Sequence, residues 1–108
     1  MKELIPKDQY GIFADTHDTA RVDSLYVSEF FDKKHKTVLR NIDAILLPDS
    51  GFSAEFGRHN FVPTIYTDQW NRKQRRYAIT RDGFTALGMG FTGKKAAHFK
   101  ELYIKRFN

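Results

Sequence analysis

The sequence predicts a single small α+β domain, and three of its features carry that prediction. The chain has 108 residues, which is the usual size of one domain. Apolar side chains recur at helical spacing in some segments and fall in short extended runs in others, without internal repeats. Apolar residues make up 41% of the chain and aromatic residues 15%, enough for a core without disulfides, and there is no cysteine. We therefore expect one folded unit over residues 1–108.

The N-terminal part of the chain predicts a short β-hairpin. Tyr10 to Ala14 and Ala20 to Val22 are extended segments, and the polar residues Asp15 to Asp18 between them favour a turn. Residues 1–22 would thus form a hairpin extension of the domain. The carboxylates and imidazole of that turn could hold a cation, but a hydrated loop is much the commoner outcome for such a group.

Two helices joined by a tight turn are expected next. Ser24 is a suitable N-cap for a first helix that continues to about Phe31. Asp32 to Lys34 breaks the helical pattern. A second helix is expected from His35 to Leu47, because its apolar side chains lie within about 120° of one another around the axis. Pro48 ends it. The spacing predicts a helix–turn–helix whose second helix exposes a polar and basic face.

A β-hairpin and two further helices complete the predicted fold. In order, these segments are a short helical turn (Phe52–Phe56, closed by Gly57), two strands (Phe61–Asp68 and Arg75–Ile79) and two helices (Thr80 to about Gly88 and Thr92 to Phe107). Pro63 predicts that the first strand lies at a sheet edge or starts later in the segment, because proline cannot donate to a ladder. A helix–turn–helix followed by a hairpin is the order of a winged helix, so we expect a small winged-helix-like α+β domain.

The second helix of the predicted pair carries residues suited to double-stranded DNA. Lysine and arginine outnumber aspartate and glutamate by 18 to 13, a net charge of +5, which favours an anionic partner. Cationic groups on this helix and its turn could bind phosphates, while short polar side chains could contact base edges. The phosphate candidates are Lys33, Lys34, Lys36 and Arg40, and the base-edge candidates are Thr37 and Asn41. The alternative is an ordinary amphipathic pair of helices with a solvated basic face.

The turn of the hairpin is a second basic cluster. It contains four cations, which cannot all pack into a core, and in a winged helix this hairpin (the wing) lies along the DNA backbone. They are Arg72, Lys73, Arg75 and Arg76. The alternative is a solvated turn that like charges keep soluble. Trp70 beside them could stack on a base, but we expect it to fill the base of the hairpin.

A glycine-rich segment from Gly88 to Lys95 resembles two phosphate-binding motifs. It fits G-x-G-x-x-G, and it fits G-x-x-x-x-G-K-[ST] except at the last position. Both motifs follow a strand, whereas a helix precedes this segment, so we do not expect nucleotide binding. Gly88 as a C-cap and Gly90 as a close-packing position explain the glycines better. The start of the last helix could still hold one backbone phosphate. The candidates for that contact are Thr92, Gly93, Lys94 and Lys95.

Several functions are not expected from this chain. Without cysteine it has no thiolate metal site, iron–sulfur ligand or cysteine nucleophile. The four histidines are scattered and no serine nucleophile motif occurs, so we expect neither an enzyme nor a bound metal or other cofactor. The apolar runs are far shorter than the ~20 residues of a membrane-spanning helix. The first residues lack the pattern of a signal peptide, and we expect a cytoplasmic protein.

Three segments resemble the phage regulatory protein Rha family. The first, Lys33 to Ile42, is similar to the K-x-H-x-x-V-L-R-x-I stretch of that family. The second consists of Asn60-Phe61 and Tyr77 to Phe84. The third runs from Met89 to Ala96 and continues into the last helix. The resemblance covers residues 24–108 in the right order.

The resemblance implies a bacteriophage or prophage regulator in the cytoplasm of a bacterial host. The family is generally that of transcriptional regulators, often fused to a C-terminal antirepressor-type domain. This chain has Ser28 and Asp32 where many members have alanine and glycine, and Asp32 puts a negative charge beside the DNA-facing residues. We expect binding of double-stranded DNA. Further candidate partners are a second copy of the chain, through the aromatic face of the last helix, and a host or phage regulatory protein. The alternative is an antirepressor-type module that binds a repressor or host factor without contacting DNA.

Overall fold

A computed structural model describes residues 5–6, 12–14 and 20–107, with side chains from Ala20 to Arg106. In this part of the chain, five helices and an antiparallel sheet form the α+β architecture that the sequence predicts. The strands are β1 (Ile5–Pro6), β2 (Ile12–Ala14), β3 (Ala20–Asp23), β4 (Phe61–Thr67) and β5 (Lys73–Ile79). The helices are α1 (Ser24–Phe30), α2 (His35–Leu46), α3 (Ala54–Asn60), α4 (Arg81–Gly90) and α5 (Lys94–Phe107).

The strands lie in the order β1-β2-β3-β5-β4, and all neighbours are antiparallel. β4 and β5 form the expected hairpin, with a register that runs from Phe61↔Ile79 to Thr67↔Lys73. β4 lies at the edge of the described sheet, as Pro63 predicts. α1, α2 and α3 lie between β3 and β4 in the chain, and the pairing of β5 with both strands brings the two ends of this helical segment to the same sheet.

Aromatic side chains form the centre of the core. Phe31 lies in the turn between α1 and α2 and is only 2% exposed. Its ring contacts Phe84 of α4, Phe91 just after α4 and Phe99 of α5, at centroid distances of 5.2, 5.2 and 5.4 Å. Burial of a phenylalanine side chain is worth about 1.5–3 kcal/mol, so Phe31 fixes the turn firmly to the C-terminal helices.

α1 begins with Asp23 as its N-cap, and the prediction that Ser24 caps it is wrong. The Asp23 carboxylate accepts a hydrogen bond from Leu25 N at 2.8 Å. Ser24 is fully buried, and its hydroxyl accepts a hydrogen bond from Tyr77 N of β5 at 3.0 Å. This bond extends the β3–β5 ladder by one position as the chain turns into α1, which explains why the hydroxyl is not used as a helix cap.

Two glycines that the sequence marks as helix ends lie inside helices. α3 continues through Gly57, and α4 continues through Gly88 as far as Gly90. A Cβ at Gly57 would lie 2.6 Å from Leu46 Cδ2, and a Cβ at Gly88 would lie 2.6 Å from Phe99 Cε2. Close packing against two rings of the core therefore requires glycine at position 88, whereas the end of the Leu46 side chain, which is 39% exposed, can move aside at position 57. Gly90 has open space around it and is not the close-packing position that the sequence predicts.

The predicted cap of α5, Thr92, is also wrong, because Gly93 stands directly before the helix. The Gly93 carbonyl accepts a hydrogen bond from Ala97 N at 2.9 Å. Its φ of +102° lies in the left-handed region, which favours glycine. Glycine is thus required here by the backbone turn into α5.

The aromatic face of α5 packs against the rest of the domain. Phe99 packs against the core cluster, and the rings of Phe99 and Tyr103 are 6.3 Å apart. The sequence predicts this aromatic face as a possible contact with a second copy of the chain. In the described part of the chain, both rings make contacts within the domain. Ile104, the next residue of α5 after Tyr103, is 58% exposed.

Candidate nucleic-acid interface

The turn between α1 and α2 is a tight corner. Lys33 N donates to Ser28 O at 2.8 Å, and Asp32 before it has a φ of 55° in the left-handed region. Glycine adopts this conformation without strain, and aspartate is one of the few other residues that tolerate it. The backbone conformation at this position therefore suits glycine, and it explains why aspartate is accepted here. The corner leaves Lys33 and Lys34 at the entrance to α2.

α2 is buried on one side and presents cations on the other. Val38 and Ile42 are fully buried, whereas Lys36 and Arg40 are exposed. Arg40 Nη2 lies 3.5 Å from Thr37 Oγ1, so these predicted contact residues share the outer face. Within the described residues, neither Lys36 nor Arg40 forms an ion pair.

Asn41, predicted as a base-edge contact, lies at the border of that outer face. Its Nδ2 donates to Thr37 O, one helical turn earlier, at 2.8 Å. The side chain also lines an apolar groove between α2 and α4, whose walls include Ile45 and Met89. The structure thus places Asn41 beside α4, away from the centre of the basic face.

The first turn of α2 carries charge that does not stabilise a helix. Lys34 occupies the N-cap position without a side-chain capping bond, and the first turn contains no acidic residue. The N-terminus of a helix has positive partial charge, so a cation there is unfavourable by about 0.3–1 kcal/mol. Lys34 and Lys36 therefore do not serve the stability of α2, and this end of the helix suits an anion.

The start of α5 lies against the turn before α2. A Cβ at Gly93 would be 3.7 Å from Lys33 Nζ, so the Lys33 ammonium is directly beside Gly93. Thr92, Lys94 and Lys95 around it are all exposed. Two predicted groups that are far apart in sequence are thus neighbours in space. The basic corner comprises Lys33, Lys34, Lys94 and Lys95, and within the described residues none of them forms an ion pair.

Three of the four cations predicted at the hairpin turn are engaged by aspartates. The pairs and their shortest distances are Arg72–Asp68 at 3.0 Å, Arg75–Asp43 at 2.7 Å and Arg76–Asp23 at 2.8 Å. Lys73 is exposed and forms no ion pair within the described residues. The hairpin therefore offers fewer free charges than the sequence indicates.

The Arg76–Asp23 pair belongs to the fold. The Asp23 side chain is 8% exposed and also caps α1. The guanidinium of Arg76 lies 5.0 Å from the centroid of the Tyr66 ring, which covers it further. A carboxylate buried to this degree needs its partner, since an uncompensated buried charge is strongly destabilising. Arg76 thus joins the hairpin to the start of α1.

The Arg75–Asp43 pair links the hairpin to α2 at the surface. Arg75 donates two hydrogen bonds to the Asp43 carboxylate, at 3.0 and 2.7 Å. These bonds lower the pKa of Asp43 and raise that of Arg75. Both side chains are about half exposed, at 52% and 45%, so the pair is worth only about 0–1 kcal/mol. It is weak enough for an incoming phosphate to compete for Arg75.

Trp70 lies at the hairpin tip and is 66% exposed, so the prediction that it fills the base of the hairpin is wrong. Asp68 N donates to Arg72 O at 2.9 Å, which closes a loop of three residues. Asn71, the last of them, has a φ of 61°. This is the usual three-residue hairpin loop that ends in a left-handed residue, and it places Trp70 in the middle of the loop.

His35 connects the start of α2 to α1 and β5. His35 Nε2 lies 2.9 Å from Ser24 Oγ, the hydroxyl that also binds Tyr77 N. Burial lowers the pKa of His35 below its ordinary 6.5; the Asp23 carboxylate acts in the opposite direction, and the neighbouring arginines lower it further. A neutral imidazole can accept the Ser24 O–H, which leaves the serine oxygen free to accept from the backbone.

Acid should destabilise the fold through His35. Because its pKa is lower in the folded chain than in the unfolded chain, the folded chain binds fewer protons. The contribution of neutral His35 to the free energy of unfolding is complete above about pH 6.5. It is lost as the pH falls from there through the pKa of His35 in the folded chain. Urea unfolding at several values between about pH 5 and 8 measures this dependence. We expect His35→Gln to flatten it and His59→Gln, at an exposed position of α3, to retain it. Parallel profiles for His35→Gln and the parent chain would contradict this assignment.

Other kinds of site find no support within the described residues. No three histidine, aspartate or glutamate side chains gather there as metal ligands. No helix of that part is long and apolar enough to span a bilayer. The predicted polar turn, Asp15 to Asp18, lies outside the described residues.

The aspartates that pair with the hairpin were missed from the sequence. Asp68 could have been recognised, because it starts the turn and lies four residues before Arg72. Asp43 is 32 residues away from Arg75, and no local spacing points to that pair.

Comparisons with known proteins point to one family. Residues 22–108 match the family described as phage regulatory protein Rha. An uncharacterised protein of Haemophilus influenzae is 36% identical over 103 residues, which cover 94% of this chain and 58% of the relative. The SPbeta prophage-derived putative antirepressor protein YoqD of Bacillus subtilis is 35% identical over 89 residues, 80% of this chain and 34% of the relative. A 22.8 kDa protein from the gp15-gp3 intergenic region of Salmonella phage P22 is 34% identical over 89 residues, 80% of this chain and 42% of the relative.

The matched segment and the sequence motifs agree. The chain spans between 34% and 58% of the length of these relatives. No solved structure shows a significant match. The family match begins at residue 22 and includes the α1–α2 corner, the hairpin and the start of α5, so the resemblance found in the sequence is confirmed. This chain belongs to the phage regulatory protein Rha family.

Proposed function

We propose that this chain is a phage or prophage transcriptional regulator that binds double-stranded DNA. One observation carries the proposal: the cations at the entrance to α2, on its outer face and at the start of α5 form no ion pair with any residue that the structure describes. Membership of a phage regulatory family supports the regulatory role. The DNA contact rests on the charge and geometry of the described residues.

In this proposal the outer face of α2 enters the major groove, which is wide enough for one helix. Thr37 offers a short polar side chain to base edges, and Lys36 and Arg40 beside it neutralise phosphates. The electropositive end of α2 and the basic corner hold the flanking backbone. Asn41 contributes at the border of the face, where its carboxamide is already tied to the backbone of α2.

The hairpin acts as a wing with few free charges. Lys73 is available to a phosphate, and Arg75 can exchange its exposed partner Asp43 for one. Arg76 remains in the fold, paired with Asp23. The wing therefore adds one or two contacts, and α2 with the basic corner supplies most of the affinity.

The salt dependence of duplex binding tests the proposal. The basic corner, Lys36 and Arg40 provide about six phosphate contacts, so affinity for a generic duplex should fall roughly a thousandfold between about 50 and 200 mM salt. Fluorescence anisotropy of an end-labelled duplex measures this slope directly. Absence of binding even at the lowest salt would contradict the proposal.

A second candidate function is that of an antirepressor-type module, which binds a repressor or host factor without contacting DNA. The apolar groove between α2 and α4 favours it. Phe52 and Met89 on its walls are 41% and 38% exposed, so the groove offers apolar side chains to a protein partner. One relative also carries the name putative antirepressor protein.

A charge placed in the groove separates the two functions. If the chain is a DNA-binding regulator, Met89→Glu should weaken duplex affinity only slightly, because Met89 lies in the groove and outside the basic surface. A chain that binds no duplex, but binds a phage repressor in a manner that Met89→Glu abolishes, would establish the second function instead. Size-exclusion chromatography with the purified repressor measures that complex.

A further inference from the structure

We propose that the hairpin tip is a nucleotide contact, in which the free face of Trp70 packs on one sugar of duplex DNA and Arg72 binds the adjoining phosphate. The inference rests on the DNA binding proposed above. It adds an aromatic residue to a proposed interface that is otherwise identified from charged and polar residues. Trp70 is the single tryptophan of the chain.

The tip is rigid because one carboxylate organises it. Asp68 Oδ1 accepts hydrogen bonds from Trp70 N and Arg72 N, both at 2.9 Å. Asp68 Oδ2 accepts from Arg72 Nε at 3.0 Å and from Gln74 Nε2 at 3.1 Å. Desolvation acts to raise the pKa of Asp68, but these bonds outweigh it and the pKa is lowered. The loop is therefore preformed at neutral pH, which reduces the entropy lost when a ligand binds.

One face of the Trp70 ring is available to a ligand. Arg72 Cζ lies over the ring, 5.0 Å from its centroid, while the residue as a whole is 66% exposed. Insertion between two base pairs requires both faces of a ring. The arrangement therefore fits stacking on a single nucleotide, and it gives an otherwise unfavourable exposed indole a partner.

The charge around the tip favours DNA over an apolar partner. Asp68 occupies Nε of Arg72, and within the described residues the two Nη atoms make no hydrogen bond. Lys73 shares a face of β5 with Arg75, which is bound to Asp43 of α2. Of these cations, Lys73 thus lies on the face of the hairpin that is turned toward α2, so one duplex can contact α2 and this end of the hairpin.

Intrinsic fluorescence gives a direct test, because all tryptophan emission comes from Trp70. A generic duplex is titrated into the chain at low salt, with excitation where tyrosine does not absorb, and anisotropy of a labelled duplex is followed in parallel. We expect quenching that saturates together with the anisotropy signal. Quenching by acrylamide, which is uncharged, should decrease in the complex because the stacked ring is shielded.

Two substitutions separate stacking from simple proximity. Trp70→Ala should weaken duplex affinity roughly tenfold, and Trp70→Phe, which keeps a ring face, should restore most of it. Ile65→Ala is the matched control, since Ile65 is 55% exposed on the same hairpin but lies away from the tip. Its affinity should equal that of the parent chain.

The outcomes distinguish this inference from the proposed function. Duplex binding with unchanged Trp70 emission and an unaffected Trp70→Ala variant would overturn the nucleotide contact and leave DNA binding in place. Quenching by single-stranded DNA alone, or only by an added protein, would also overturn it. Absence of duplex binding in the anisotropy arm would remove both.

Discussion

Replacing Lys34 and Lys36 together by glutamate should weaken binding to a generic duplex by about a hundredfold at moderate salt. Two phosphate contacts raise the affinity about sixtyfold at about 0.1 M salt compared with about 1 M salt, where such contacts contribute little. The double substitution removes this contribution, and the new carboxylates also repel the phosphates. Both side chains are exposed in or next to the first turn of α2, where negative charge is favourable. The fold should therefore be as stable as that of the parent chain or slightly more so, and the lost affinity cannot come from unfolding. Anisotropy and thermal unfolding of the same samples measure the two effects.

A double substitution at the other end of α5 is the matched control. Lys105→Glu with Arg106→Glu changes the net charge by the same amount, at exposed positions of the last turn. These residues lie ~16 Å along the helix axis from Lys94, beyond the Debye length at moderate salt. We expect the control to lose less than about threefold in affinity. Equal losses in both double variants would show that net charge alone drives binding, and the assignment to α2 would be wrong.

The helical pair and the hairpin could be predicted because their signals are local. Val38 and Ile42 repeat at helical spacing on α2, and the helix ends one residue before its predicted last residue. The strands of the hairpin were recognised from short apolar runs on either side of a polar turn, and Pro63 identified the edge strand. Both patterns depend only on neighbouring residues. The lysines of the α1–α2 turn, Lys33 and Lys34, were found for the same reason.

The charges of the hairpin could not be assigned from the sequence, because their partners come from other elements. No acidic residue lies near Arg75 or Arg76 at a sequence spacing that predicts an ion pair. In the fold, Arg75 pairs with Asp43 of α2, and Arg76 pairs with Asp23 at the end of β3. The same limit explains the wrong helix cap. Ser24 has the right residue type for a cap, but its hydroxyl is used by a backbone group of β5, 53 residues away. Only the fold determines which of two suitable partners a polar group takes.

Glycine is ambiguous in a sequence for a physical reason. It is selected either where φ must be positive or where another side chain comes too close for a Cβ, and the two requirements predict different structures. Gly93 is of the first kind, with a φ of +102°. Gly88 is of the second kind, although the sequence indicated a helix end there.

Gly88→Ala should destabilise the domain by about 2 kcal/mol. The new Cβ would lie 2.6 Å from Phe99 Cε2 and 2.8 Å from Phe31 Cζ. Both rings belong to the aromatic cluster of the core, so neither can move without disturbing its neighbours. Contact with two rings of the core puts the overpacking cost at the upper end of the usual range of about 1–3 kcal/mol. Alanine regains about 1 kcal/mol through its higher helix propensity, which leaves a net loss of about 2 kcal/mol. Urea unfolding measures the loss, and Tm should fall by roughly 4–8 °C for each kcal/mol.

Gly90→Ala, two residues further along α4, should be neutral or stabilising by up to about 1 kcal/mol, because nothing lies within 4 Å of the new Cβ. The pair of variants separates packing from helix propensity, since both replace glycine by alanine in the same helix. A larger loss for Gly90→Ala than for Gly88→Ala would restore the roles that the sequence indicated and contradict the described packing of α4.

The contact of Gly88 with Phe31 and Phe99 also bears on the proposed DNA interface. Phe31 belongs to the turn before α2 and Phe99 to α5, so Gly88 holds together the two elements that meet in the basic corner. Gly88→Ala should therefore weaken duplex binding even below its Tm, whereas Gly90→Ala should leave it unchanged.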